Sequence, residues 1–183
     1  MTAKDVIMRK TSLNLIRVRQ RPGTRACGWL LAGPLAIPVA IGRAGIKANK
    51  REGDGATPRG TFRLKRVWWR AGRHPRPTTL LPAQRIMPDD GWCEDPSDRH
   101  YNRPVKVPPD SKADRLARAD ALYNFIVEID HNTRPRVSGR GSAVFIHVAR
   151  PHFAPTAGCV ALDINALHRL LARLSPRTKI VVE

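Results

Sequence analysis

A chain of 183 residues, 42% of them hydrophobic, is long enough for one domain with a sizeable buried core. Thirty-three basic residues against fifteen acidic ones give a net charge of +18, which favours polyanionic partners such as nucleic acid, anionic lipid or an anionic cell envelope. Aromatics make up only 5%, the basic residues are scattered, and no zinc-finger, RNP-like or helix-turn-helix pattern occurs, so nucleic-acid binding is not expected.

Cys27, Cys93 and Cys159 lie far apart without a CxxC pair, which indicates neither a zinc ribbon nor a disulfide framework. Residues 1–11 read as a basic N-terminal arm and 12–183 as a single domain. Basic residues followed by the apolar run Trp29 to Ile41 imitate a signal peptide, but Gly33-Pro34 and Pro38 interrupt the run. No clear signal peptide results, and no run is long enough to span a membrane.

Residues 12–19 and 28–41 read as strands, the second as a pair turning at Gly33-Pro34. A glycine-rich loop over 42–60 contains Arg51-Glu-Gly-Asp-Gly-Ala-Thr-Pro-Arg-Gly-Thr-Phe62, with a turn expected at 57–60. Without a GxxxxGK[ST] motif it is not read as a phosphate cradle. The strand 61–67 follows, with Phe62 and Leu64 on one face. From 70 to 110 there is little periodicity, and eight of the sixteen prolines fall in this stretch, so a long functional loop is expected. Asp89, Asp90, Glu94, Asp95 and Asp98 cluster there; no metal-ligand spacing matches them, and salt bridging to neighbouring basic residues is the simpler reading.

Residues 111–120 suit a short polar helix capped by Ser111. Leu122 to Asp130 reads as a strand with Tyr123, Phe125, Val127 and Ile129 on one face. Residues 143–149, AVFIHVA, form a short apolar run suited to a buried strand, in which Val144, Ile146 and Val148 face one side while Phe145 and His147 face the other. The loop RPHFAP, held out of regular structure by Pro151 and Pro155, leads to the tight turn Thr156-Ala157-Gly158-Cys159 and a second apolar run, Val160 to Leu162. Asp163 then caps a helix whose stripe is Ile164, Leu167, Leu170, Leu171 and Leu174, stopped by Pro176, and Lys179 to Glu183 is a last strand.

Cys159 and His147, twelve positions apart, are the candidate nucleophile and base, because an imidazole that takes the thiol proton supplies a reactive thiolate. The backbone N–H groups of Ala157, Gly158 and Cys159 are the candidate oxyanion donors. A buried Cys and His in an otherwise ordinary core is the alternative reading of the same two residues.

The segments TPRGTF and H…TAGCVAL, with GWCEDPSDRHYNRPV between them, resemble the YkuD-type L,D-transpeptidase catalytic domain of bacterial cell-wall enzymes over roughly residues 12–183. Ala157 and Ala161 stand where many members carry a histidine and an arginine. The resemblance implies a mainly β, sandwich-like fold of mixed strands with a short helix and a C-terminal helix. It implies a peptidoglycan L,D-transpeptidase that needs no cofactor or metal, takes a donor tetrapeptide stem and an amine acceptor as partners, and works in the periplasm or cell envelope. On this reading Thr156, Arg150, Tyr101, Arg103, Asp89 and Asp90 are the expected substrate contacts, Arg150 replacing the missing arginine and the two aspartates attracting an amine. An L,D-carboxypeptidase or endopeptidase using the same cysteine and histidine, or a non-catalytic basic binding module, are the alternatives.

Overall fold

The computed structural model describes residues 12–108 and 114–183; the expected N-terminal arm and the expected cap Ser111 lie outside them. Strands β1 (Leu15–Gln20), β2 (Cys27–Ala32) and β3 (Leu35–Ala40) form an antiparallel meander. The short parallel pair β4 (Ile46–Lys47) and β5 (Thr57–Pro58) brackets the glycine-rich loop. Thr57 and Pro58 are therefore extended strand, and the turn expected at 57–60 does not form.

Strand β6 (Gly60–Trp69) is followed by β7 (Ala83–Arg85), β8 (Asp90–Cys93), β9 (Arg103–Lys106) and β10 (Asp114–Arg115). Then come β11 (Phe125–Ile129), β12 (Phe145–Val148), β13 (Val160–Leu162), helix α1 (Ile164–Leu171) and β14 (Lys179–Val182). The main sheet has nine strands in the order β11-β12-β13-β3-β2-β1-β14-β6-β7, with parallel and antiparallel pairs mixed. Because β6 also pairs with β11, the sheet closes on itself, and only β7 hangs outside the ring. The mainly β fold of mixed strands is as expected.

Alternation explains the two cores. Phe125, Val127 and Ile129 of β11, Val144, Ile146 and Val148 around β12, and Val160 and Leu162 of β13 point into the closed sheet with Leu167, Leu170, Leu171 and Leu174. Asp163 Oδ1 accepts from the Asn165 and Ala166 amides at 2.9 and 3.1 Å, which starts α1 where expected. The opposite face of β11–β13 carries Ile126, Phe145 and Cys159, covered by Trp92 and Leu116 from the separate sheet β10-β8-β9. This smaller core is the floor of the functional site.

Two expectations fail here. Asp114–Arg115 is a strand paired with Trp92 and Gly91, and the chain beyond it bends without a helix. The Leu116 N–H, which a helix would direct four residues back, donates instead to the Asp90 carbonyl at 2.9 Å, so pairing with β8 holds this segment extended. Tyr123 also departs from the face of Phe125, because Ala121–Asn124 is a turn and the strand alternation begins only at Phe125. Its ring lies against Phe145 and His147 on the other side of the sheet.

Candidate active site

Parallel pairing of β12 with β13 sets His147 opposite Ala161, which places Cys159, two residues before Ala161, on the same face as His147 and Phe145. Both side chains line one cavity of about 630 Å³. His147 is buried, and its Nδ1–H donates to the Val148 carbonyl at 2.8 Å, so the lone pair of the neutral ring sits on Nε2. Burial disfavours the charged imidazolium, and the nearby Arg150 and Arg118 add to this, so the His147 pKa is pushed down to about 4. At neutral pH the site therefore holds an unprotonated imidazole.

The thiol of Cys159 donates to the Ala143 carbonyl at 3.2 Å, and its sulfur accepts from the Phe145 N–H at 3.4 Å. The cysteine turn is fixed by hydroxyls. Thr156 Oγ1 donates to the Cys159 carbonyl at 2.7 Å and accepts from the Gly158 N–H at 3.1 Å. Thr57 Oγ1 accepts from Gly42 N–H at 2.8 Å and approaches the same Cys159 carbonyl at 3.5 Å. A Cβ on Gly158, whose φ is +149°, would stand 2.8 Å from the Ala56 carbonyl oxygen, so only glycine lets the two segments meet. The TPRG and TAGC segments are thus two halves of one structure.

The expected site residues divide accordingly. Cys159, His147, Thr156, Ala157, Gly158 and Arg150 all line the cavity. The Gly158 N–H, expected among the oxyanion donors, is taken by Thr156, and the Thr156 hydroxyl is spent on the turn rather than presented to the cavity. Tyr101 is buried behind the wall, where its hydroxyl donates to Glu52. Arg103 is exposed on β9, outside the cavity lining.

Asp89 and Asp90 are not in the lining either. Lys106 Nζ sits 2.8 and 2.9 Å from their carboxylates, and Asp90 also accepts from Met87 N–H. The other aspartates of that acidic run fold turns, Asp95 accepting from Ser97 and Asp98 from His100. Among the described residues no group of acidic, histidine or cysteine side chains could hold a metal. None of Cys27, Cys93 and Cys159 is joined in a disulfide.

Arg43, Lys50, Glu52, Arg118 and Ser142 line the cavity without having been singled out. Lys50 is buried against Asp54 at 2.6 Å. Burial alone would raise the Asp54 carboxyl, but hydrogen bonds from Lys50 and from the Ala56 and Arg51 amides outweigh it and hold the pKa below its usual value. Arg118 pairs with Asp120 and stacks over Tyr123, 5.1 Å from the ring centre.

A closed β-sheet that presents a buried thiol and a neutral imidazole in one cationic cavity defines a class of protein suited to acyl transfer through sulfur. A family model described as the YkuD L,D-transpeptidase catalytic domain matches residues 31–182, and the chain belongs to that family. Searches of curated proteins and of solved structures returned no match. No helix among the described residues is long and apolar enough to cross a membrane.

Proposed function

We propose that the chain is a peptidoglycan L,D-transpeptidase of the cell envelope whose residues 12–183 work as one catalytic domain. The observation that carries the reading is the shared face of Cys159 and His147, with the imidazole tautomer set by Val148 so that Nε2 can accept a proton. In the proposed reaction Nε2 takes the thiol proton as Cys159 Sγ attacks the carbonyl between the diamino acid and the terminal D-alanine of a tetrapeptide stem. The C–S bond forms, the C–N bond breaks, and His147 returns the proton to the departing D-alanine amine. An amine of a neighbouring stem then attacks the thioester, loses a proton to His147, and releases the thiol with a new cross-link.

The developing oxyanion falls to the Ala157 and Cys159 amides, since Gly158 N–H serves the turn. Arg150, exposed at the cavity edge, is the proposed contact for a stem carboxylate in place of the arginine absent at Ala161. The test is mass spectrometry of disaccharide-tetrapeptide incubated with wild-type protein and with Cys159→Ala. A dimer lacking one D-alanine, absent with the variant, is the expected result. Tripeptide monomer alone would reassign the protein as an L,D-carboxypeptidase, and unchanged substrate with wild type would overturn the enzymatic reading for this donor.

A further inference from the structure

Most described carboxylates are either paired with a lysine, arginine or histidine or spent on capping backbone amides: Asp54 by Lys50, Asp120 by Arg118, Glu128 by Lys65 and Arg66, Asp163 at the start of α1. Glu52 differs. It lines the cavity, half-buried, and its Oε2 accepts from two neutral hydroxyls, Tyr101 OH and Ser142 Oγ, the latter at 2.7 Å. The backbone N–H of Gly53 reaches Oε1 at 3.3 Å, and no basic side chain among the described residues forms an ion pair with the carboxylate. A carboxylate has about four acceptor positions, so this one keeps capacity for a further donor. Burial, and then the neighbouring Glu52 charge, raise the Tyr101 pKa, so the phenol stays protonated and keeps orienting the carboxylate.

Position gives this negative charge a use. Ser142, which holds Glu52, precedes Ala143, whose carbonyl accepts from Cys159 Sγ. Carboxylate and nucleophile therefore flank one short backbone segment and open into the same space. We propose that Glu52 is the specificity-determining residue that receives a charged alkylammonium group of the acyl donor, the side-chain amine of the residue whose carbonyl Cys159 attacks. The inference deepens the transpeptidase reading and rests on it. The acceptor amine is the poorer occupant, because a carboxylate contact stabilises the protonated form of an amine and an amine must be neutral to attack a thioester. The donor's side-chain amine takes no part in bond making and stays charged throughout.

The test compares two tetrapeptide donors, one with a free side-chain amine and one N-acetylated there, by following acyl-enzyme formation and D-alanine release. Wild type prefers the free amine by about 10- to 100-fold in kcat/KM, the range expected for a charge-assisted hydrogen bond. Glu52→Gln, which keeps an oxygen for Tyr101 and Ser142, loses most of that preference, and Glu52→Asp, which keeps the charge, retains part of it. Equal preference in wild type and Glu52→Gln, with matched melting temperatures, overturns the proposal while leaving the transpeptidase reading intact. If wild type acylates neither donor, that reading fails for these substrates, and the carboxylate is judged by NMR titration with Nα-acetyl-lysine methylamide. Shifts at Ser142 and Ala143 that vanish in Glu52→Gln support an ammonium site, and their absence in wild type overturns it.

Discussion

The two faces of β12 separate stability from chemistry within four residues. On one side Ile146 is fully buried among the side chains that fill the closed sheet; on the other His147 lies beside the cavity with its proton position set by a backbone carbonyl. Strand alternation places an inert residue and a reactive one next to each other, and the pairing with β13 adds the thiol to the reactive side alone. Chemistry here borrows its rigidity from the core beneath it.

The contrast breaks most clearly at Ile146. Ile146→Ala removes a fully buried side chain that sits in register with Val127 and Val160, and is expected to cost about 2–5 kcal/mol in urea unfolding. Acyl-enzyme formation per folded molecule should change far less. Cys159→Ala should abolish acylation at a smaller cost in stability, about 1–3 kcal/mol, because it leaves the buried Phe145 N–H without its sulfur acceptor. If Ile146→Ala removed activity in the fully folded protein, the two faces would not be separable.

His147 offers a second, smaller test, because it is reactive and buried at once. The unfolded imidazole binds a proton below pH about 6.5, the folded one only below about 4, so the unfolded chain holds more protons in that window. Stability from this group therefore falls as pH drops from about 6.5 towards 4, by about 3 kcal/mol in total, and is flat above 6.5. Unfolding titrations should show a slope in wild type that His147→Gln reduces, the remainder coming in part from His131, whose pKa burial also lowers. The same pKa puts the acidic limb of the acylation rate near pH 4, so a limb near 6.5 would mean that the ring is more solvated than its surroundings imply.

Alternation also explains what could be read before the structure. The faces of 143–149 and the capped helix after Asp163 follow from local spacing, and both are where the sequence places them. The candidate pair Cys159 and His147 needed only that spacing and a tight turn to reach one face. The stretch from 70 to 120 was opaque because its strands β7 to β10 are two to four residues long, too short to show a period. Its expected helix fails because Asp114–Arg115 pairs with Trp92 and Gly91 and the Leu116 N–H goes to the Asp90 carbonyl, partners more than twenty residues away in sequence. Glu52 was hidden for a similar reason: it stands inside a segment that could be quoted, but its partners Tyr101 and Ser142 come from 49 and 90 positions further on.

The acidic run shows what such distant partners decide. Of the five acidic residues between 89 and 98, Asp89 and Asp90 share Lys106, Asp95 and Asp98 hold turns, and Glu94 alone lines the cavity. Hydrogen bonding to Lys106 is the chief reason the Asp89 pKa falls below its usual value, which marks the carboxylate as already satisfied by a cation. Both side chains of that pair are more than half exposed, so solvent and salt screen it and its loss should be nearly silent. Asp89→Asn is therefore expected to leave donor and acceptor kinetics unchanged, to within about twofold, across the same pair of donors on which Glu52→Gln loses its preference. A drop in acceptor use with Asp89→Asn would move the amine-recognising charge to Asp89, outside the cavity, and away from Glu52.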